Sequence, residues 1–200
     1  MFKFTAKSDF MTNPEKFLRA HIEKVISLTD EESSFIISHF VLKTFRKGQL
    51  IIEEGNDVKE VYFVISGLVK LVYEDREAKK HIVSFAMEDW WETDFQAFYT
   101  QSKALLTLEC IEDTVAFSLS LENFEKLCSD LRKMEHFFLR KSIAGHIGSQ
   151  TRILSFLTSN ARDRYEQLLV KNPSLLQRVP KSSLASYLGV SRETLSRLFM

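Results

Sequence analysis

The hydrophobic period of this chain changes twice. Near the start, Phe17, Leu18, Ile22, Val25 and Ile26 recur at helical spacing, and Pro14 suits a first helical position. Thr29-Asp30-Glu31-Glu32 reads as a second helix start, with acids at the positive end of its dipole. Phe35, Ile36, Ile37, Phe40 and Val41 supply its apolar face. Helices are therefore predicted over 14–25 and 30–40. From Lys43 to Ser120 the period shortens to two. Strands are expected around Leu50–Ile52, Val61–Ile65, Leu68–Tyr73, His81–Met87, Leu106–Cys110 and Val115–Leu119. Gly48, Gly55 and Gly67 punctuate them, and a charged turn runs from Asp75 to Lys80. Short strands at regular spacing predict an antiparallel barrel or roll.

After Ser120 the period returns to helix. Ser120 is placed to cap a short helix over 121–129. A long helix follows from about Leu131 to about Thr158, roughly 40 Å at 1.5 Å per residue. Met134, Phe138, Ala144, Ile147, Thr151 and Leu154 trace a seam on it, with Gly145 and Gly148 on or beside that seam. Glycine is disfavoured inside helices, so close approach of a second backbone is a reason for two of them. The seam fits close packing against a second backbone, against the chain's own strands, or some of each. Ala161–Val170 is a further amphipathic helix, ended by Asn172-Pro173.

The last twenty residues read as two short helices around a tight turn. Leu184, Ala185 and Leu188 share one face of the first helix. Gly189 supplies a positive φ, and Ser191 is a candidate N-cap for the second helix. There Leu195, Leu198 and Phe199 form an apolar stripe, while Arg192, Glu193, Ser196 and Arg197 lie opposite. This is the helix-turn-helix layout, in which one face packs the pair and the other enters the major groove of DNA.

Composition adds one decisive point. The chain has 44% hydrophobic and 27% charged residues, and its formal net charge is zero. The charge is unevenly spread. Residues 1–130 carry 15 Lys and Arg against 23 Asp and Glu, whereas residues 131–200 carry 12 against 4. An acidic front and a basic back fit a phosphate partner at the back. No apolar run reaches the ~20 residues that span a bilayer. The first residues lack the apolar region of a secretory signal, and Met11 is an alternative start. Cys110 and Cys128 form neither a disulfide framework nor a metal-ligand spacing, which fits a reducing cytoplasm. No phosphate-loop lysine, nucleophile motif or paired metal ligands suggest an enzyme, and no cofactor or metal is expected.

The run Leu-Ala-x-Tyr-Leu-Gly-Val-Ser-Arg-Glu-Thr-Leu-Ser-Arg at 184–197 resembles the recognition motif of the Crp/Fnr superfamily of bacterial transcription regulators. Phe45-Arg46-Lys47-Gly48, Glu54-Gly55, Tyr62-Phe63-Val64-Ile65-Ser66-Gly67 and Lys70 resemble the cyclic-nucleotide-binding β-roll that precedes it in that family. The resemblance implies an α+β fold. A sensor domain, an antiparallel β-roll (double-stranded β-helix), would occupy 1–130. A dimerisation helix would occupy 131–158, and a helix-turn-helix domain of the winged type 159–200. The wing would follow the recognition helix, and this sequence stops at Met200.

The same resemblance implies a cytoplasmic homodimer on a near-palindromic DNA operator, with RNA polymerase and a small-molecule effector as further partners and no membrane association. Arg192, Glu193, Ser196 and Arg197 would contact bases, and Lys181, Ser182, Ser183 and Ser191 would contact phosphates. The rival reading is an effector-binding or protein-interaction module that has lost DNA binding.

One stretch departs from the family pattern. Cyclic-nucleotide receptors of this fold use a Gly-Glu pair and a downstream Arg for the ribose and phosphate. Here Thr93 and Asp94 occupy the places of the Gly and the Glu, and Lys103 is the only cation between Thr93 and Cys110. Arginine matches a phosphate with a planar two-pronged fork that lysine lacks. Cyclic AMP and cyclic GMP are therefore expected to bind weakly or not at all. Trp91, Thr93, Asp94, Phe95 and Lys103 mark the candidate effector pocket. The aromatic residues Trp90, Trp91, Phe95, Phe98 and Tyr99 are first read as core filling, and an apolar effector pocket is the other reading. Two cysteines are too few for an iron–sulfur cluster. His81, His136, His146 and Cys110 are haem-ligand candidates by element type alone.

Overall fold

A computed structural model of the chain describes residues 13–198. They fall into two compact units, one comprising residues up to Leu71 with Phe85–Arg140, the other Val72–Ser84 with Lys141 onward.

The first unit opens with α1 (Pro14–Glu23), whose N-cap Asn13 accepts the Lys16 N–H. In α2 (Asp30–Ile37), Thr29 and Glu32 cap each other reciprocally, satisfying two orphan donors of the first turn. The helix is shorter than the period suggested. Val41 leaves it and opens β1 (Val41–Phe45), where it is 55% exposed and pairs with Ser118.

The strands that follow are β2 (Leu50–Ile52), β3 (Glu60–Ser66), β4 (Leu68–Glu74), β5 (Lys80–Met87), β6 (Trp91–Glu92), β7 (Thr107–Cys110) and β8 (Thr114–Ser120). A six-residue helix, α3 (Phe95–Thr100), stands between β6 and β7. Two four-stranded sheets result, in the orders β1-β8-β3-β6 and β2-β7-β4-β5. Gly67 joins β3 to β4 at φ +109°, and a Cβ there would lie 2.6 Å from the Asp113 carbonyl, so only glycine fits.

Apolar residues of both sheets share one core, including Val61, Phe63, Ile65, Val69, Leu71, Leu108 and Leu119. The helix α4 (Leu121–Asp130), capped by Ser120, adds Leu127. The long α5 (Arg132–Thr158) adds Met134, Phe137 and Phe138 from its first turns. The fold is thus α+β with an antiparallel roll.

In the second unit, α6 (Ala161–Lys171) starts at a capping box of Asn160 and Asp163. Next come α7 (Pro173–Arg178), α8 (Lys181–Leu188) and α9 (Arg192–Leu198). Leu168, Leu175, Val179, Leu184, Ala185, Leu188 and Leu195 are their buried residues. The outer half of the β4–β5 hairpin belongs to this unit. The Ser186 hydroxyl donates to the Lys80 carbonyl at 2.8 Å and accepts the Ile82 N–H at 3.2 Å. No helix among the described residues is long and apolar enough to cross a membrane.

Candidate DNA-reading surface and effector site

The two short C-terminal helices are held by their buried faces. Leu184, Ala185 and Leu188 of α8 are buried, as is Leu195 of α9. Gly189 ends α8 in the left-handed region, φ +71°. A Cβ there would come within 2.8 Å of the Phe156 ring, so space as well as conformation selects glycine. Ser191 starts the next helix, its hydroxyl accepting the Thr194 N–H at 3.1 Å. The Leu198 side chain and Phe199 lie outside the described residues.

With Leu195 turned inward, Arg192, Glu193, Ser196 and Arg197 are all exposed on α9. Hydrogen bonds from its own N–H and from Ser191, with Arg192 and Arg197 nearby, hold the Glu193 carboxyl below the usual carboxylate range. One helix face therefore presents two guanidiniums, a hydroxyl and an ionised carboxylate. Those groups can meet guanine O6 and N7 and cytosine N4 in a major groove. Lys181 and Ser182 are exposed at the first turn of α8, and Ser183 is half-buried there. Ser191 has a structural task of its own, because its hydroxyl is already the α9 cap.

Two arginines of this unit have partners within the chain. Arg162 pairs with Glu166 along α6 at 3.2 Å. Arg164 donates to the Leu188 carbonyl at 3.1 and 2.8 Å and to the Ser159 carbonyl at 2.5 Å. From the sequence, Arg162 and Arg164 could equally contact phosphates or be solvated. One sign of another partner was available: a cation near a helix N-terminus opposes the dipole.

The candidate dimer residues divide along α5. Met134 and Phe138 are buried in the chain's own core, so they are corrected out of the outward seam. Phe138 packs on Phe124 at 4.4 Å between ring centroids. Ala144, Gly145, Ile147 and Thr151 are exposed, and Gly148 is half-buried. Ile143, Ile147, Leu154 and Leu157 extend this as exposed apolar positions. A Cβ built on Gly145 or Gly148 meets nothing within 4 Å.

The candidate effector residues differ in exposure. Thr93 and Asp94 are buried, at 0% and 2% exposure. The Thr93 hydroxyl donates to the Glu60 carbonyl at 2.9 Å. One Asp94 oxygen accepts the Ala97 N–H at 3.1 Å, and the other accepts Leu105 and Leu106 N–H at 2.9 and 3.1 Å. Asp94 is thus a helix cap and a loop anchor. Lys103 is exposed and pairs with Asp57 at 2.7 Å. Phe95 is exposed on α3.

Trp91 sits among Phe40, Phe63, Phe137 and Phe138, with ring centroids 5.1 to 6.4 Å away, as the core-filling reading expects. Its indole N–H donates to His21 Nε2 at 2.9 Å. Indole nitrogen is a donor only, so the His21 proton sits on Nδ1 and is donated to Asp89 at 2.8 Å.

The haem-ligand candidates are scattered. His81 holds Asp75 at 2.7 Å, His136 and His146 are exposed on α5, and burial pushes the Cys110 thiol pKa up. Among the described residues no three His, Cys, Asp or Glu side chains are grouped to hold a metal ion.

Known proteins share this arrangement. Residues 42–130, the strands of the roll through α4, match the cyclic nucleotide-binding domain family. The transcriptional regulatory protein btr of Bordetella pertussis is 24% identical over 165 residues, covering 76% of this chain and 67% of that protein. Solved structures of similar fold span both of this chain's units. The Thermus thermophilus catabolite activator protein is 23% identical at TM-score 0.55, covering 86% of this chain and 82% of that one. The Xanthomonas campestris regulator CLP is 16% identical at 0.69, covering 85% and 89%. FixK2 of Bradyrhizobium japonicum is 17% identical at 0.69, covering 80% and 82%. Those likenesses establish the fold.

Proposed function

We propose that this chain is a DNA-binding transcription regulator. It works as a homodimer through the outward face of α5 and reads a near-palindromic operator with α9. The observation that supports this reading most is the α9 face, where Arg192, Glu193, Ser196 and Arg197 are exposed opposite buried Leu195. The basic balance of residues 131–200 supports it further. Two α9 helices in successive major grooves would stand about 34 Å apart. Lys181, Ser182 and Ser183 would fix register on the phosphates without reading sequence.

The roll takes neither cyclic AMP nor cyclic GMP in this reading. Asp94 is spent on three backbone N–H groups, and Lys103, the cation of the stretch, is paired at the surface. An effector of another class would act by favouring one arrangement of the dimer over another. The test is calorimetry with each cyclic nucleotide beside duplex binding over a salt series. This reading expects no micromolar nucleotide isotherm and a steep salt dependence for DNA.

A further inference from the structure

The turn between α8 and α9 is built against two guanidiniums. A helix ends with carbonyls that have no intrahelical partner, and its C-terminus carries partial negative charge. The last two carbonyls of α8 both have arginine donors. Arg152 of α5 donates Nη2 to the Tyr187 carbonyl at 3.0 Å and to Ile82 at 3.1 Å. Arg164 of α6 gives Nε and Nη2 to the Leu188 carbonyl at 3.1 and 2.8 Å.

Phe156 joins the two cations. Its ring centroid lies 4.9 Å from the Arg152 guanidinium carbon and 4.7 Å from that of Arg164. Arg152 also lies 3.7 Å over the Tyr187 ring. The Phe156 ring occupies the space a side chain at residue 189 would need. One cluster thus fixes the end of α8, fills the space beside the turn and ties both to α5 and α6.

We propose that Arg152 and Arg164, through Phe156, are positioning residues that set the elbow of the helix-turn-helix, and that Arg164 does not contact DNA phosphate. The proposal rests on the reading that α9 meets DNA. Both guanidiniums are spent on main-chain carbonyls, and burial depresses the Arg152 pKa. The geometry uses the planar fork, because Arg164 reaches one carbonyl with two nitrogens and a second carbonyl with the third. A lysine ammonium cannot reproduce that spread. A phosphate contact would behave differently, since lysine serves as a point charge there.

Arg164→Lys and Arg164→Gln separate these roles. Two quantities are read in the full chain. One is amide hydrogen exchange at residues 188–195. The other is affinity, over a salt series, for a duplex that the wild type selects from random DNA. The positioning role predicts faster exchange at the turn in both variants. Both also lose affinity about tenfold, with an unchanged slope of log affinity on log salt. Recovery of affinity by Lys, with the slope reduced by about 0.9 in Gln, would make Arg164 a phosphate contact and overturn the proposal. Unchanged exchange in both variants would overturn it as well. If the wild type selects no duplex, the reading of α9 fails, and the exchange data still decide whether Arg164 holds the turn.

Discussion

Asp94 holds the Leu105 N–H at 2.9 Å, so a residue that the sequence marked as an effector candidate is committed to its own backbone. The same carboxylate takes Leu106 and Ala97 N–H groups, tying the loop before β7 to the start of α3. Asp94→Ala would leave three donors without an acceptor. At typical costs for unmade hydrogen bonds, it should destabilise the chain by about 2–4 kcal/mol, and Asp94→Asn by less. Urea unfolding measures both. A change below about 0.5 kcal/mol for Ala would contradict the anchoring role.

Asp89 gives a pH dependence. Burial works to raise its pKa, but hydrogen bonds from His21 and Lys24 outweigh burial, and the net pKa lies below the usual aspartate value. A depressed folded pKa contributes stability that is present above the unfolded value of about 3.9 and is lost as pH falls through the folded value. Asp89 has φ +75°, which asparagine tolerates. Asp89→Asn should therefore reduce the loss of stability below about pH 4, read from unfolding midpoints between pH 6 and 3. Parallel wild-type and variant curves would contradict this assignment.

Gly148 separates the fold from the assembly. Within the chain, a Cβ at residue 148 meets nothing within 4 Å. Gly148→Ala should raise the helix stability of the isolated chain by up to about 1 kcal/mol. If a second α5 packs closely there, the same methyl should weaken self-association. Sedimentation equilibrium is expected to show a weaker dimer, and Ile147→Glu a monomer. A monomeric wild type at micromolar concentration would contradict the α5 interface.

Arg192 should read one base pair. Arg192→Ala is expected to cost about 1–3 kcal/mol and to relax preference at a single position in each half-site. Binding to a set of singly substituted duplexes measures this. Wild-type affinity and preference in the variant would remove Arg192 from the reading face.

Much of this architecture could be read before any coordinates. Alternation marked the strands, and Gly189 with Ser191 marked the turn and the start of α9, because both residues act locally. Four features escaped for physical reasons. α7 is six residues long, under two turns and too short for a repeat to show, and Pro173, read as a terminator, is its first residue. β6 has two residues and no alternation to detect. On α5, periodicity finds apolar residues but cannot say what covers them. Met134 and Phe138 pack into the chain's own core, while Ile147 remains exposed. Arg164 escaped because its partner, Leu188, is 24 residues away.

Selection of bound duplexes from random DNA by the full chain tests the central claim most directly. A near-palindrome whose half-sites lie about one helical turn apart should be enriched, with affinity falling steeply as salt rises. Recovery of no common sequence, with no salt-dependent binding to any duplex, would contradict it.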